Sequence, residues 1–345
     1  MAAIKPEWNE LIALPPDQKA TILKFFIEDI FPWRGELSEG VESKNFSISF
    51  LIQPDLFLRL RPGKEEVVKQ KLHLASFAFN EIHPTCLSLE NALQAEQVVE
   101  LDKEAVVQDY NSQRVGEFLD AVRNSFKTTL QLTTGSCGRS GQVPLTVYDC
   151  CAASGGKSIL AFDVLGNIHL TVSDIRESIL FNLRKRFERA GIKNYSAFVA
   201  DLASSNKSGT SNLLGHRSFF NCRSFNEGSS EGGKLETFDI VICDAPCTGS
   251  GTWSRTPERM YYFNPERIDY YSNLQKNILE NVVPLVKEGG HLLYITCSVF
   301  KKENDEVVEF LEKEFKLKME KKELLKGYDK KADTLFAALL QRSDS

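Results

Sequence analysis

TVYDCCAASGGKSILAFDVLGNIHLTVSD, residues 146–174, decides the fold. An apolar run ends at Asp149 and a glycine-containing turn follows. GKSILAFDVLG then spaces its apolar residues as a helix does, and a second apolar run closes on Asp174. Strand, tight turn, helix and strand make a βαβ unit, with its two strands parallel because the helix carries the chain back across the sheet. The pattern continues downstream. RESILFNLRKRFERAG is helical and YSAFVAD extended; FDIVICD precedes PERIDYYSNLQKNILENVVPLV; GHLLYITCS precedes KENDEVVEFLEKEF, and TLFAALLQ is the last apolar run. Such alternation predicts an α/β fold, a mainly parallel sheet covered by helices on both faces.

Upstream the texture differs. DLFLRLR (55–61) has a strand pattern, KEEVVKQKLHLASFAF a helical one, and short strand-like pieces run on to VELDKEAVVQD. A helix is expected from about Asn111, with Asn111 as its N-cap. Residues 5–32 carry short amphipathic helices broken at Pro15-Pro16. TTGSCGRSGQ (133–142) has the turn-rich composition of a linker. Residues 203–236, rich in Ser, Gly and Asn, are expected as a long surface insertion. The expected division is a helical and α+β module over 1–130 and a catalytic domain over 143–345.

The 345 residues carry 42% hydrophobic and 26% charged side chains, as a soluble globular protein does. No apolar run approaches the roughly 20 residues that span a bilayer. MAAIKPEWNELIALPP lacks the basic start and apolar block of a signal peptide, so the cytoplasm is the expected setting, with no membrane partner. The net charge of −5 argues against a general nucleic-acid coat. A local basic face is expected instead, from Arg184, Arg186 and Arg189 or from the Arg59–Lys64 region. Eight cysteines are present, at 86, 137, 150, 151, 222, 243, 247 and 297. None forms a C-x-x-C pair, so no metal site is expected, and most are expected to be small buried apolar residues.

Four successive apolar runs end in aspartate: Asp149, Asp174, Asp201 and Asp244. Ligands of open α/β sheets bind at the carboxyl ends of the strands, and an acidic residue after the second strand is where such folds grip a ribose diol. Aspartate is also a common turn former, which accounts for any one of the four alone. CAASGGKS (151–158) approaches a phosphate-binding loop, with Cys151 in place of its first glycine and Asp149 adding a charge that repels phosphate. S-adenosyl-L-methionine fits the row of carboxylates better, because it offers a diol, an amine and a sulfonium.

Two further stretches stand out: CDAPCTGSG (243–251), with a glycine segment that suggests flexibility, and TCS (296–298). Together with DCCAASGGKS, SDIRESI, VADL, FDIVICDAPCTGSGTWSR, QKNIL and KEGGHLLYITCSVFKKENDEVV, they resemble the Sun/Fmu-like (Nop/Sun) family of RNA cytosine-5 methyltransferases. PDLFLRLRPGK and AVVQDYNSQ resemble that family's segments around a small RNA-binding module, and the likeness runs from about Pro54 to Leu340. The resemblance implies a Rossmann-like class I methyltransferase fold, a seven-stranded sheet with helices on both faces, beside a small N-terminal module. It implies S-adenosyl-L-methionine as cofactor and RNA as partner, ribosomal RNA first and transfer RNA as the alternative. A monomer is expected.

Carried over position by position, Cys151, Ala152, Ala153, Ser154, Gly155, Gly156 and Lys157 would form the cofactor loop. Asp174 would hold the ribose, Asp201 the adenine side, and Asp244 would lie between cofactor and base. Cys297 would be the nucleophile and Cys247 the residue that assists release; Arg255 and Lys157 would meet substrate. Ser154 stands where the family has proline, Ile179 where many members have arginine, and Arg61 where asparagine is common; the first fifty residues have no counterpart.

The chemistry accounts for two cysteines. C5 of cytosine is a poor nucleophile until a thiolate adds at C6 and makes C5 enamine-like. A second group beside the adduct then helps expel the first. DNA cytosine-5 enzymes take the nucleophile from the Pro-Cys motif, which would assign Cys247 instead. An RNA-binding ribosome-assembly factor that keeps the fold without turnover is the non-catalytic alternative.

Overall fold

The computed structural model describes residues 14–134, 144–204 and 236–343. Nearly all of the expected linker and insertion, Pro6 to Ala13, Cys137 and Cys222 lie outside the described residues. Two sheets organise the chain. The first is antiparallel, in the order β2-β3-β1-β4, from β1 (Leu56–Leu60), β2 (Phe79–His83), β3 (Cys86–Leu89) and β4 (Ala105–Val107). Helix α3 (Glu65–Leu74) covers one face, with Val68 and Leu72 buried against Leu58, Leu60, Leu87 and Leu89. Before this sheet lie α1 (Pro16–Leu23) and α2 (Ser43–Ser49).

The second sheet has seven strands. These are β5 (Leu145–Asp149), β6 (Ile168–Asp174), β7 (Tyr195–Val199), β8 (Phe238–Asp244), β9 (Val286–Thr296), β10 (Leu317–Leu325) and β11 (Leu335–Arg342), in the order β10-β11-β9-β8-β5-β6-β7. The run from β9 to β7 is parallel; β11 and β10 join antiparallel. The expected seven-stranded α/β sheet is therefore present. Strand β10 is absent from the sequence reading because KLKMEKKELL is rich in Lys and Glu. Those charges suit an edge strand, where they discourage pairing with another chain.

Helices α4 (Tyr110–Arg114) and α5 (Gly116–Thr134) lead into the sheet. Phe118, Leu119 and Val122 of α5 share one core layer with α6 (Gly156–Leu165) and α7 (Glu177–Ala190). On the opposite face, α9 (Glu266–Val282) and α10 (Asp305–Phe315) bury Ile278, Leu279, Val307 and Leu311. The short α8 (Glu258–Tyr261) lies between β8 and α9. The cap of α4 is Asp109, whose carboxylate accepts from the Asn111 N–H at 2.9 Å. Asn111, expected as the cap, is wholly buried and donates to the carbonyls of Leu325 and Asp333. Among the described residues no helix is long and apolar enough to cross a membrane.

The order of β8, β5 and β6 creates the feature that places a site. From β5 the chain winds outward through β6 and β7, then returns to the other side of β5 as β8. At that reversal the connections diverge and leave a crevice at the carboxyl ends of β5 and β8. Asp149 and Asp244 both end there, in strands whose pairing sets Asp149 beside Ile242.

A charged seam joins the two sheets. Arg59 of β1 and Arg61 just past it reach Asp163 of α6 at 2.5 and 2.6 Å. Arg61 also donates to the Ala190 and Asp102 carbonyls. The Asp102 carboxylate in turn accepts from Arg186 and Arg189 of α7, at 2.8 and 2.6 Å. Of the residues expected to form a basic face, Arg59, Arg61, Arg186 and Arg189 pair with carboxylates of this chain, Arg189 staying half exposed. Burying two cations around one carboxylate is tolerable only while the carboxylate is present. Asp163→Ala is therefore expected to cost about 3–5 kcal/mol, read from urea unfolding. Unchanged stability would show that the seam is not load-carrying.

Candidate active site

The turn after β5 is built by specific backbone demands. Ala153, with φ of 46°, occupies the left-handed region that side chains disfavour, and its N–H points to Asp174 Oδ2 at 3.0 Å. Gly155 has φ of 87°, and a Cβ there would lie 2.7 Å from the Phe187 ring. Ser154, standing where the resembled family has proline, is tied by Arg186, which donates to its carbonyl at 3.2 Å and its hydroxyl at 3.0 Å. Asp174 also accepts from the Arg176 N–H. Asp201 lies two residues past β7, is exposed, and accepts from the Ala203 N–H and the Ser204 hydroxyl.

Asp149 lies beneath this turn and is wholly buried. Ser158 donates to its Oδ2 at 2.6 Å, while Oδ1 has no partner. Burial pushes its carboxyl up to about 7. Lys157 bridges from the turn to β8, with its ammonium 3.0 Å from Asp244 and 2.8 Å from the Ser112 hydroxyl. Asp149, Asp174, Asp244 and Lys157 thus line one end of the sheet.

The loops after β8 and β9 bring Cys247 and Cys297 together, sulfur to sulfur at 3.3 Å, both half-buried. Strand pairing sets the approach, since Asp244 lies opposite Ile295 and the Ala245 N–H donates to the Ile295 carbonyl. Gly251 N–H then donates to the Cys297 carbonyl, and Thr334 N–H to the Gly251 carbonyl, both at 2.9 Å. A Cβ on Gly251 would fall 1.9 Å from the Thr334 oxygen. The glycine stretch expected to be flexible is instead a place of close approach. Gln275 completes the hold on the first loop, donating to the Pro246 carbonyl at 2.9 Å.

Two residues that support the pair escaped the sequence reading. Glu303, fully buried, accepts from the Thr248 N–H and hydroxyl, each at 3.1 Å. Burial pushes its carboxyl up to about 7. Asn304, also fully buried, receives the Thr296 hydroxyl at 2.5 Å and donates to the Ser298 carbonyl and the Ser38 hydroxyl at 2.9 Å. It therefore grips the chain on both sides of Cys297. The available signal was two adjacent polar residues in SVFKKEND, just before a helix. Cys247 is held above the ordinary thiol range by the hydrogen bond it shares with Cys297 and by burial.

Arg255, expected to meet substrate, is partly exposed and pairs within the chain. Its guanidinium donates to Asp333 and Asp109 at 2.8 Å and to the Asp55 carbonyl at 3.2 Å. The pairing of β5 with β8 also brings Cys150, Cys151 and Cys243 together, with all three sulfurs within 4.8 Å of one another. Three such thiols could hold a soft cation. Sequence spacing could not see this set, because it is assembled across strands.

The family described as 16S rRNA methyltransferase RsmB/F matches residues 142–339. The probable ribosomal RNA small subunit methyltransferase B of Bacillus subtilis is 32% identical over 164 residues, 47% of this chain and 31% of that protein. Ribosomal RNA small subunit methyltransferase B of Proteus mirabilis is 24% identical over 262 residues, 74% of this chain and 51% of that protein. The chain thus spans at most about half the length of these relatives. NSun6 from Pyrococcus horikoshii, solved with SFG, superposes with a TM-score of 0.65 at 13% identity, covering 88% of this chain and 95% of that one. A methyltransferase homolog from the same organism gives 0.62 at 18% identity, covering 95% of this chain and 100% of that one. Both likenesses speak to the fold. With the matched segment running from just before β5 into β11, more than half of the chain, this chain belongs to the RsmB/F family of 16S rRNA methyltransferases.

Proposed function

We propose that this chain methylates C5 of a cytosine in ribosomal RNA, with Cys297 as nucleophile and Cys247 assisting release. The observation that carries the reading is the 3.3 Å approach of the two sulfurs. Cysteines that merely fill a core are sealed among apolar side chains. These two are partly exposed, and hydroxyls and a carboxylate from Thr248, Ser298 and Glu303 surround their loops. The same reading makes the protein a cytoplasmic monomer acting on RNA.

The residues present suit S-adenosylmethionine. The carboxylates of Asp174, Asp201 and Asp244 offer acceptors for its diol and amino groups, with the buried Asp149 beneath the turn. The backbone of 151–157 supplies a tight turn for close approach. When bound, this donor supplies an electrophilic methyl group. Cys297 as thiolate adds to C6 of the base, and the displaced π electrons make C5 nucleophilic. Asp244, ion-paired to Lys157 at 3.0 Å, has a second oxygen to accept from the N4 amino group and orient the ring. After methylation the C5 proton leaves to solvent, the C6–sulfur bond breaks and aromaticity returns. Cys247, kept protonated, donates its proton to the departing Cys297 sulfur.

The assignment is tested with RNA carrying 5-fluorocytosine, which lacks the C5 proton and so arrests the adduct. Cys297→Ser is expected to abolish both the trapped complex and transfer of labelled methyl groups to ribosomal RNA. Cys247→Ser is expected to accumulate a covalent complex even on ordinary RNA, because release is slowed. Loss of trapping only in the Cys247 variant would reverse the roles. Equal transfer to transfer RNA would replace the proposed substrate.

Glu303 gives a prediction in pH. Its folded value of about 7 lies above the unfolded value of about 4.3. The stability linked to its protonated form is full below that unfolded value and is lost as pH rises through 7. Unfolding free energy and unfolding temperature are expected to fall between pH 5 and pH 8, and Glu303→Gln to remove about 2–3 kcal/mol of that free-energy loss. Asp149 acts in the same direction, so a part of the slope should survive in the variant. An identical slope in both proteins would remove Glu303 as a titrating group.

A further inference from the structure

Arg59, Arg61, Arg186, Arg189 and Arg255 all pair with carboxylates of this chain, and a further cationic surface lies elsewhere. The segment from Arg259 to Arg267 has the required character. Tyr261 and Tyr262 are 85% and 80% exposed, among the most exposed large side chains described. Their rings meet edge to face, with centroids 5.0 Å apart. Neither Arg259 nor Arg267 has a carboxylate within ion-pair distance among the described residues, and the Arg267 guanidinium lies over the Tyr270 ring at 5.3 Å. Of the acidic groups around the same stretch, Asp269 is neutralised by Lys302 at 2.6 Å, and Glu266, which accepts from the Asn264 amide, and Glu258 keep their charge.

This surface is held rigidly from behind. Met260 and Phe263, on either side of the tyrosines, pack into the aromatic cluster of Trp253, Phe31 and Phe300. Phe263 lies 4.7 Å from the Trp253 ring. The turn between them is pinned by backbone bonds from Thr256 N–H to Trp253 and from Met260 N–H to Pro257. The two tyrosines are therefore displayed by an anchored turn. Large aromatic surfaces are seldom left in water without a partner.

Position ties the surface to the thiol pair. A Cβ built on Gly249 would sit 3.7 Å from Nη1 of Arg259, and Gly249 is two residues past Cys247. A polymer lying across Arg259 thus meets the loop that carries one of the two sulfurs. Unpaired nucleotides bind to this combination: base rings stack on aromatic faces, and cations beside them track the phosphates.

We propose that Arg259, Tyr261 and Tyr262 form a stacking platform for the unpaired nucleotides beside the target cytosine, an inference that rests on RNA being the substrate. Its chemistry is sequence-tolerant, because every base has a face to stack. The hydroxyls of the tyrosines are not needed, whereas their rings are.

The test uses the full chain and a fluorescent, mixed-sequence single-stranded oligoribonucleotide, with affinity read by anisotropy at fixed salt. Binding of S-adenosylmethionine is measured in parallel by calorimetry. The double variant Tyr261→Leu/Tyr262→Leu is expected to lose roughly tenfold or more in RNA affinity, with cofactor affinity unchanged. Tyr261→Phe/Tyr262→Phe is expected to bind RNA as the parent does. Arg259→Gln is expected to weaken binding and to lessen its dependence on salt. RNA affinity unchanged in the leucine variant overturns the platform and hands the patch to a protein partner. A phenylalanine variant as weak as the leucine variant overturns stacking as the cause. Cofactor binding without any RNA binding by the parent protein defeats the substrate reading itself, and the platform with it.

Discussion

The hydrogen bond from Gly251 N–H to the Cys297 carbonyl is the constraint on which the meeting of the two cysteine loops depends. Neighbouring strands lie about 4.8 Å apart, so loops leaving β8 and β9 start close but are free to diverge. Here they cannot. Gly251 is caught between the Cys297 carbonyl and the Thr334 backbone, with no room for a methyl group. Three chain segments are thereby stacked at hydrogen-bond distance, and the two sulfurs meet at 3.3 Å as a consequence. A glycine of this kind contributes nearness rather than mobility.

That constraint is backed by the segment that had no expected role. Leu37 bridges to Phe300, Ser38 N–H donates to the Val299 carbonyl, and Lys301 N–H donates to the Glu36 carbonyl. Phe31, Phe46 and Phe50 pack with Trp253, from the Cys247 side, and with Val299 and Phe300, from the Cys297 side. Ser38 reaches Asn304, which holds Thr296 and Ser298. Residues 27–50 thus act as a brace across the outer side of both cysteine loops. A single aromatic cluster couples their positions, so a change at Phe31 is felt at both sulfurs.

The strands and helices of the larger sheet were legible because each is an uninterrupted apolar run or a helical stripe. IHLTVSD and FDIVICD match β6 and β8 end to end. Strand β10 was not legible, because its Lys and Glu residues follow the needs of a sheet edge rather than of a core. Asp149, Asp174 and Asp244 were visible as strand-ending carboxylates, and Cys247 and Cys297 through the stretches around them. Glu303 and Asn304 were not, because a buried carboxylate and a buried amide have the same letters as exposed ones. The brace was hidden for another reason: its partners lie more than 200 residues away in sequence, beyond any local pattern.

Arg255 shows how charge is used throughout this chain. It joins Asp109, the cap of α4, to Asp333, just before β11, and also takes the Asp55 carbonyl at the start of β1. Burial pushes the Asp333 carboxyl up to about 7, with the Asp109 charge adding to the effect and Arg255 opposing it. Without this cation, two carboxylates would face each other in a poorly solvated place. Arg59, Arg61, Arg186 and Arg189 perform the same service along the seam between the sheets. A chain of net charge −5 that turns so many arginines inward gains fixed geometry between its two sheets and gives up outward positive potential. What remains for holding a partner beside the cysteine loops is rings and isolated cations, rather than a long-range field.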